Sequence, residues 1–293
     1  MFEIVDKKRL NSQVTLMKLK APHVVRNAKA GQFVIIKMDK EGERIPLTIV
    51  DMDKKEETIT IIFQEVGTTT KCLAKFEKNE SVMDILGPLG KATHTGEIGK
   101  VICVGGGVGT AEIYPVARAF RETGSEVTSI VGARSKDLLL LLDEMKATSS
   151  QFYIATDDGS FGKKGFVTDI LKELLDKTPL ERTRGSIPMD KEKYDLVYAV
   201  GPIFMMRAVA ILTKKYNLKT IVSLNANMVD ATGMCGTCRV TVNGETKFAC
   251  VDGPDFDAHE IDFEEFISRD RRFKDKEEES LKYHEKTGCR RKG

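Results

Sequence analysis

Four side chains late in the sequence have the types and spacing to hold iron: Asp230, Cys235, Cys238 and Cys250, in Asp230-Ala-Thr-Gly-Met-Cys235-Gly-Thr-Cys238 and Phe248-Ala-Cys250. Three of the six cysteines fall within these sixteen residues, 235–250. Plant-type [2Fe–2S] clusters take a first ligand, four intervening residues, then C-x2-C and a later Cys, because thiolates on one tight loop can close on two irons. The spacing here is the same, with Asp230 in the first place. Gly233 and Gly236 let the loop backbone pass close to inorganic sulfide. The stretch Arg239-Val-Thr-Val-Asn-Gly-Glu-Thr-Lys-Phe248 alternates and carries Asn243-Gly244, so it reads as a hairpin that returns Cys250 to the loop. Zinc competes for C-x2-C, but no second C-x2-C or His pair accompanies it, and His259 stands alone. Merely buried or redox-reactive thiols are the third reading. Asp230 is either a ligand or a solvated carboxylate at the rim. As a ligand its oxygen donates less electron density than sulfur, which raises the cluster potential above that of an all-cysteine site.

The length of 293 residues predicts two domains with room for a small third. A net charge of +2, with 31% of residues charged, gives no reason to invoke nucleic acid or an anionic membrane. The longest uninterrupted aliphatic run, residues 138–142, is far too short to cross a bilayer. Nothing at the start reads as an export signal. Three clustered and three scattered cysteines fit a reducing cytoplasm better than a disulfide framework. Abundant Lys and Glu without Trp are compatible with a thermophilic source.

Residues 1–96 contain short alternating runs, Gln13-Val-Thr-Leu-Met-Lys-Leu, Gly31-Gln-Phe-Val-Ile-Ile-Lys-Met and Thr58-Ile-Thr-Ile-Ile-Phe, which predict an antiparallel barrel or sandwich. Two stretches break the pattern. Arg44-Ile-Pro46-Leu47-Thr48-Ile49 places an arginine, a rigid proline and a hydroxyl on one strand. Val66-Gly67-Thr68-Thr69-Thr70 then runs into a predicted short helix, Lys71-Cys-Leu-Ala-Lys-Phe. A glycine and hydroxyls at a helix start suit a phosphate, since free N–H groups and the helix dipole point at it; plain capping is the other reading. Together the two stretches resemble the flavin-binding barrel of the ferredoxin–NADP reductase superfamily. Its R-x-x-[ST] strand faces the flavin and its Gly-Thr turn holds the pyrophosphate. The resemblance assigns Arg44, Pro46, Leu47, Thr48, Ile49, Val66, Gly67, Thr68, Thr69 and Thr70 to FAD, with the arginine and hydroxyl one position further apart than in that pattern. Gly87-Pro-Leu-Gly90 ends the barrel as in that superfamily. Cys72 reads as a small apolar packing residue.

Residues 97–225 open with Lys100-Val-Ile-Cys-Val-Gly105-Gly106-Gly107-Val108-Gly109-Thr110, an apolar strand, a glycine turn and a helix start. Further apolar strands at Val127-Thr-Ser-Ile-Val-Gly-Ala, Gln151-Phe-Tyr-Ile-Ala and Leu196-Val-Tyr-Ala-Val, with helical stretches between, predict a doubly wound α/β domain. A lone glycine turn is equally a tight turn without a ligand. Gly201-Pro202-Ile-Phe-Met205-Met206 follows the last strand and resembles the nicotinamide-side signature of the same superfamily. Ligands of open α/β sheets bind at the carboxyl ends of strands, where both glycine turns fall. Arg134 suits a 2′-phosphate, whereas Asp157 and Asp158 suit a free ribose hydroxyl; surface solvation is the plain reading of all three. The resemblance favours NAD(H).

Residues 226–263 form the expected [2Fe–2S] module and 264–293 a charged helix or tail, either solvated or an arm for a partner subunit. Cys289 is expected in a frayed end without a ligand role. Barrel, nucleotide domain and cluster module in this order resemble the electron-transfer subunit of dihydroorotate dehydrogenase across nearly the whole chain. That subunit has four cysteine ligands. The variant here, M-V-D-A-T-G-M-C-G-T-C with F-A-C-V-D-G-P-x-F-D-A-H, resembles more closely the small (alpha) subunits of NADH-dependent reduced ferredoxin:NADP oxidoreductases, also called sulfide dehydrogenase small subunits. The resemblance implies an electron-bifurcating enzyme in which this chain exchanges a hydride between NAD(H) and FAD. Single electrons then pass through the [2Fe–2S] centre to a large subunit carrying FAD and [4Fe–4S] clusters, and through the complex to ferredoxin. No side chain is an evident acid, base or nucleophile. The dihydroorotate dehydrogenase subunit remains an alternative, and so does a cluster-bearing scaffold or sensor that binds no FAD and oxidises no NADH.

Overall fold

The alternating runs of the first third become antiparallel strands in two sheets. In the computed structural model, which describes residues 1–177 and 193–289, one sheet orders its strands Asp51–Asp53, Thr58–Gln64, Val14–Lys20, Phe2–Arg9 and Ser81–Val82. The other orders Arg44–Thr48, Phe33–Lys37 and Asp84–Leu89. The inward residues of both, among them Met17, Leu19, Val34, Ile36, Ile59 and Ile61, meet in one buried apolar cluster. Period-two alternation thus gives each sheet one face for the core and one for other work.

The chain divides into two compact units. The first comprises Met1–Ala92, Ala226–Gly253 and Asp262–Gly293; the second comprises Thr93–Asn225 and Pro254–Ile261. The first unit therefore carries both antiparallel sheets and the cysteine stretch. Its hairpin pairs Arg239–Val242 with Glu245–Phe248, and positive φ at Asn243 (51°) and Gly244 (75°) makes the two-residue turn that the Asn-Gly pair predicts. Asp262 then caps helix Phe263–Asp270 by accepting from the Glu265 N–H at 3.0 Å.

The second unit is the doubly wound sheet. Its strands run in the order Lys163–Lys164, Gln151–Thr156, Glu126–Ala133, Lys100–Gly106, Leu196–Val200, Thr220–Ser223 and Asp255–Asp257, all parallel except the last. Val101, Ile102, Cys103 and Val104 are fully buried, as continuous apolar strands covered on both faces must be. Helices Gly109–Glu122, Leu142–Thr148, Val167–Asp176 and Ile203–Lys214 follow successive strands. Helix Val167–Asp176 buries Val167, Ile170, Leu171, Leu174 and Leu175, the stripe of an amphipathic helix. The edge strand comes from residues 254–261, after the cysteine module. Among the described residues no helix is long and apolar enough to cross a membrane.

Two cysteine expectations are corrected. Cys72 does not pack as an isolated apolar residue and Cys289 does not lie in a loose tail: they are joined as a disulfide with Cα atoms 5.6 Å apart. Gly288, at φ 72°, ends helix Lys274–Thr287 in a conformation that suits glycine and turns Cys289 back over the helix.

Candidate functional site

The cysteine loop is shaped by its own first acidic residue. Asp230 accepts hydrogen bonds from the backbone N–H of Thr232 (3.0 Å) and of Cys235 (3.2 Å). These donors, the Thr232 N–H first, hold its carboxyl below the usual range, so it is an anion at neutral pH. Gly233 and Gly236 turn the chain at φ 82° and 69°, left-handed values that most side chains resist. Beyond the turn, Cys238 and Cys250 lie with their Sγ atoms 3.2 Å apart, each only 2% exposed. The hairpin brings them together as its spacing predicts, with the Ala249 N–H donating to the Cys238 carbonyl at 3.1 Å. Burial, and then the neighbouring Cys238 sulfur, push the Cys250 thiol up to about 12. Cys235 is exposed, its sulfur 3.4 Å from the Thr237 hydroxyl, and that hydroxyl lowers its pKa.

Two buried thiols in mutual contact, an outer thiol disposed to ionise and an anionic carboxylate on the same loop fit an iron–sulfur centre. A bound metal cation would take the place of the proton that burial makes the Cys250 thiol keep. Sequence reading missed the residue that braces this loop. Arg269 reaches back from helix Phe263–Asp270 and donates to the carbonyls of Arg239 (3.0 Å), Gly236 (3.2 Å) and Thr237 (3.4 Å). Its only sequence signal was a cation in an otherwise acidic helix.

In the second unit the two glycine turns meet. Lys100–Gly106 and Leu196–Val200 are adjacent parallel strands, so both turns leave the carboxyl edge where the sheet order reverses. A Cβ on Gly109 would stand 2.5 Å from the Val200 carbonyl oxygen and 2.8 Å from Gly201 Cα. One on Gly106 would overlap the Met205 sulfur, and one on Gly201 would stand 2.8 Å from Met205 Cε. The glycines of both turns and Met205 are therefore one packing solution. Pro202 opens helix Ile203–Lys214 and accepts from the N–H groups of Met205 (2.8 Å) and Met206 (3.1 Å). Gly107, at φ 57°, faces open space with its N–H on the Gly132 carbonyl at 2.8 Å, and Val108 and Thr110 continue into the helix. Arg134, Asp157 and Asp158 are all exposed at the next strand ends. The Asp158 N–H donates to the Arg134 carbonyl at 3.2 Å. Its carboxylate is occupied by Ser160, accepting from N–H (2.9 Å) and hydroxyl (2.6 Å), bonds that lower its pKa.

In the first unit, Arg44–Thr48 is a strand paired to Phe33–Lys37. Ile45 and Leu47 pack on the core, so Arg44, Pro46 and Thr48 share the opposite face. The extra residue between arginine and hydroxyl puts the two on one face, because four positions is a whole number of pleats whereas three is not. Ile49 is buried beneath, and Val66 is 60% exposed before the turn at Gly67. All three threonine hydroxyls are engaged: Thr68 with Ser280 at 3.0 Å, Thr69 with Glu43, and Thr70 with the N–H and carbonyl of Gly67, each at 3.1 Å. What that turn offers an anion is backbone N–H rather than hydroxyl.

An antiparallel two-sheet unit, a doubly wound sheet and a cysteine loop define the class: flavin reductases of the ferredoxin–NADP reductase type joined to an iron–sulfur domain. The fold matches that of phthalate dioxygenase reductase, a modular structure for electron transfer from pyridine nucleotides to [2Fe–2S], at 15% identity and TM-score 0.56 over 82% of this chain and 85% of that one. Residues 225–262 match the profile of the iron–sulfur cluster binding domain of dihydroorotate dehydrogenase B. A Thermotoga maritima homologue of the dihydroorotate dehydrogenase B electron-transfer subunit is 41% identical over 97% of this chain and 96% of its own. The solved structure of NADH-dependent reduced ferredoxin-NADP oxidoreductase, described for flavin-based electron bifurcation, matches at TM-score 0.87 and 39% identity over 97% of both chains. The chain belongs to the family of dihydroorotate dehydrogenase B electron-transfer subunits and their homologues.

Proposed function

We propose that this chain is the flavin- and iron–sulfur-bearing small subunit of an electron-bifurcating NADH-dependent ferredoxin:NADP oxidoreductase. The observation that carries this reading over others in the family is the donor set: an anionic Asp230 tied to the Cys235 backbone, in the first-ligand position before Cys235, Cys238 and Cys250. The near full-length likeness to the bifurcating oxidoreductase supports it. Arg44, Pro46 and Thr48 present one face to FAD, and the N–H groups at Thr68 and Thr69, at the helix start after Gly67, receive its pyrophosphate. The turns at Gly105–Gly109 and Gly201–Pro202 hold NAD(H), with Asp157 free to accept from a ribose hydroxyl. Asp230, Cys235, Cys238 and Cys250 hold a [2Fe–2S] cluster. Bound there, nicotinamide and flavin exchange a hydride and the cluster carries electrons singly. The chain supplies position: glycines admit the nucleotide backbone, and Arg269 fixes the cysteine loop.

Single electrons leave toward a larger partner subunit, which in this reading carries FAD and [4Fe–4S] clusters and gives access to ferredoxin. Exposed Val229, Met234 and Val251 beside the cysteine loop supply apolar surface for that docking. The complex is placed in the cytoplasm. Anaerobic purification of the native complex tests the reading: expected are FAD and about two irons on this chain, flavin reduction faster with NADH than with NADPH, and a co-eluting iron–sulfur flavoprotein. Co-elution of a dihydroorotate-oxidising flavoprotein instead assigns the chain to dihydroorotate dehydrogenase, and a chain without flavin or iron refutes both.

A further inference from the structure

A second cluster of metal-binding side chains lies apart from the cysteine loop. Cys72 Sγ, a ring nitrogen of His284 and Cys289 Sγ all lie within 4.8 Å of one another. Cys72 sits in helix Thr68–Leu73, His284 in helix Lys274–Thr287, and Cys289 just beyond the glycine that ends it. His284 is 8% exposed, and its two ring nitrogens meet sulfur: Nδ1 is 3.8 Å from Cys72 Sγ and Nε2 is 3.8 Å from Cys289 Sγ. A disulfide is a poor partner for a buried imidazole, because sulfur is a weak acceptor and no longer a donor. A cation between the three atoms satisfies all of them.

The helix itself gives an independent reason. Of its fourteen residues His284 alone is buried, so no apolar stripe holds it down. Its ties to helix Thr68–Leu73 include the Thr68–Ser280 hydroxyl contact at 3.0 Å and the Lys71–Glu285 pair at 4.0 Å, which is worth little. A short charged helix without packing is not stable alone. The Cys72–His284–Cys289 cluster supplies an anchor at its one buried residue.

We propose that Cys72, His284 and Cys289, when reduced, bind a thiophilic divalent cation of the zinc class and clasp the C-terminal helix to the helix that follows Gly67. Tetrahedral zinc with bonds near 2.3 Å to sulfur and 2.0 Å to a single ring nitrogen sets S···N separations of about 3.6 Å, within the 4.8 Å that spans the two sulfurs and one ring nitrogen here. The disulfide form opens by taking two electrons and two protons from a dithiol reductant. Binding then expels both thiol protons and leaves one position for water.

The test uses the full-length protein with its native cofactors, prepared anaerobically with dithiothreitol, given one equivalent of zinc and desalted. Elemental analysis is expected to find about one zinc per chain beside the iron, with a zinc-edge spectrum of two sulfurs and one nitrogen. His284→Ala and Cys289→Ser are expected to lose zinc by roughly ten-fold or more while iron content and visible spectrum stay unchanged. Hydrogen exchange over residues 274–289 is expected to rise on zinc removal. The proposal is overturned by zinc below about a tenth per chain, by zinc retained in both variants, by zinc gained only as iron is lost, or by a disulfide that persists under dithiothreitol.

Discussion

At the residue scale, one substitution separates ligand from loop brace. Asp230 has an anionic carboxylate and two backbone donors, so it can both hold the turn and face a metal. If Asp230 ligates iron as proposed, Asp230→Cys keeps a ligand but exchanges oxygen for the more donating thiolate. The midpoint potential is expected to fall by on the order of 100 mV. An unchanged midpoint in a redox titration removes Asp230 from the iron. Arg269 makes the complementary case, since it touches only carbonyls of the loop. Arg269→Met leaves three acceptors without their donor and is expected to cost about 1–3 kcal/mol locally, read as faster iron release to a chelator with the spectrum of the intact cluster unchanged. Equal release rates would show that the hairpin alone fixes the loop. The four proposed ligands could be picked out because their spacing is local, 230 to 250 in one stretch. Arg269 was not, because its partners lie 30 or more residues away in sequence and its own neighbours are ordinary helix surface.

At the element scale, strands and glycine turns were readable for the same reason: period and turn chemistry are short-range. Asn243-Gly244 gave its hairpin, and Arg44-x-Pro-x-Thr48 its strand. What sequence could not tell was the use of each glycine. Gly109 faces the backbone of Val200 and Gly201, which cannot yield, whereas Gly107 faces open space at a left-handed φ of 57°. Gly109→Ala is expected to destabilise the second unit by about 2–3 kcal/mol through overpacking. Gly107→Ala is expected to cost about 1–2 kcal/mol from backbone conformation alone. Urea unfolding ranks the two. With the fold kept, Gly107→Ala is also expected to slow flavin reduction by NADH if, as proposed, this turn holds the nucleotide, because the added methyl enters the open space beside it; an unchanged rate would mean the turn is only structural. The Cys72–Cys289 pairing lay beyond sequence reading altogether, being a contact across 217 residues.

At the scale of the whole molecule, the second unit is made of two chain segments, Thr93–Asn225 and Pro254–Ile261, and inside that unit the two segments are joined at one buried polar group. The Thr93 hydroxyl donates to Asp255 at 2.6 Å, and Tyr198, on a central strand and 1% exposed, donates to the same carboxylate at 2.9 Å. Nothing local in the sequence announces this junction, because it pairs residues 162 and 57 positions apart. Asp255 keeps some exposed surface as a residue, but its carboxyl group is enclosed, and burial raises its pKa from 3.8 to about 6 against the pull of its donors. The folded chain thus holds this proton more tightly than the unfolded one. Below an ordinary carboxyl pKa both forms are protonated. Between 3.8 and about 6 the unfolded chain releases the proton first and stability falls; above that range the loss is complete. At about 1.4 kcal/mol per unit the loss is at most about 3 kcal/mol, less where water reaches the residue. Asp255→Asn removes the titration while keeping size and an acceptor. Urea midpoints from pH 4 to 7.5 are expected to decline in the wild type relative to the variant across that window, the difference cancelling every other titrating group. Parallel curves would mean that Asp255 is solvated and that the junction rests on its hydroxyls alone.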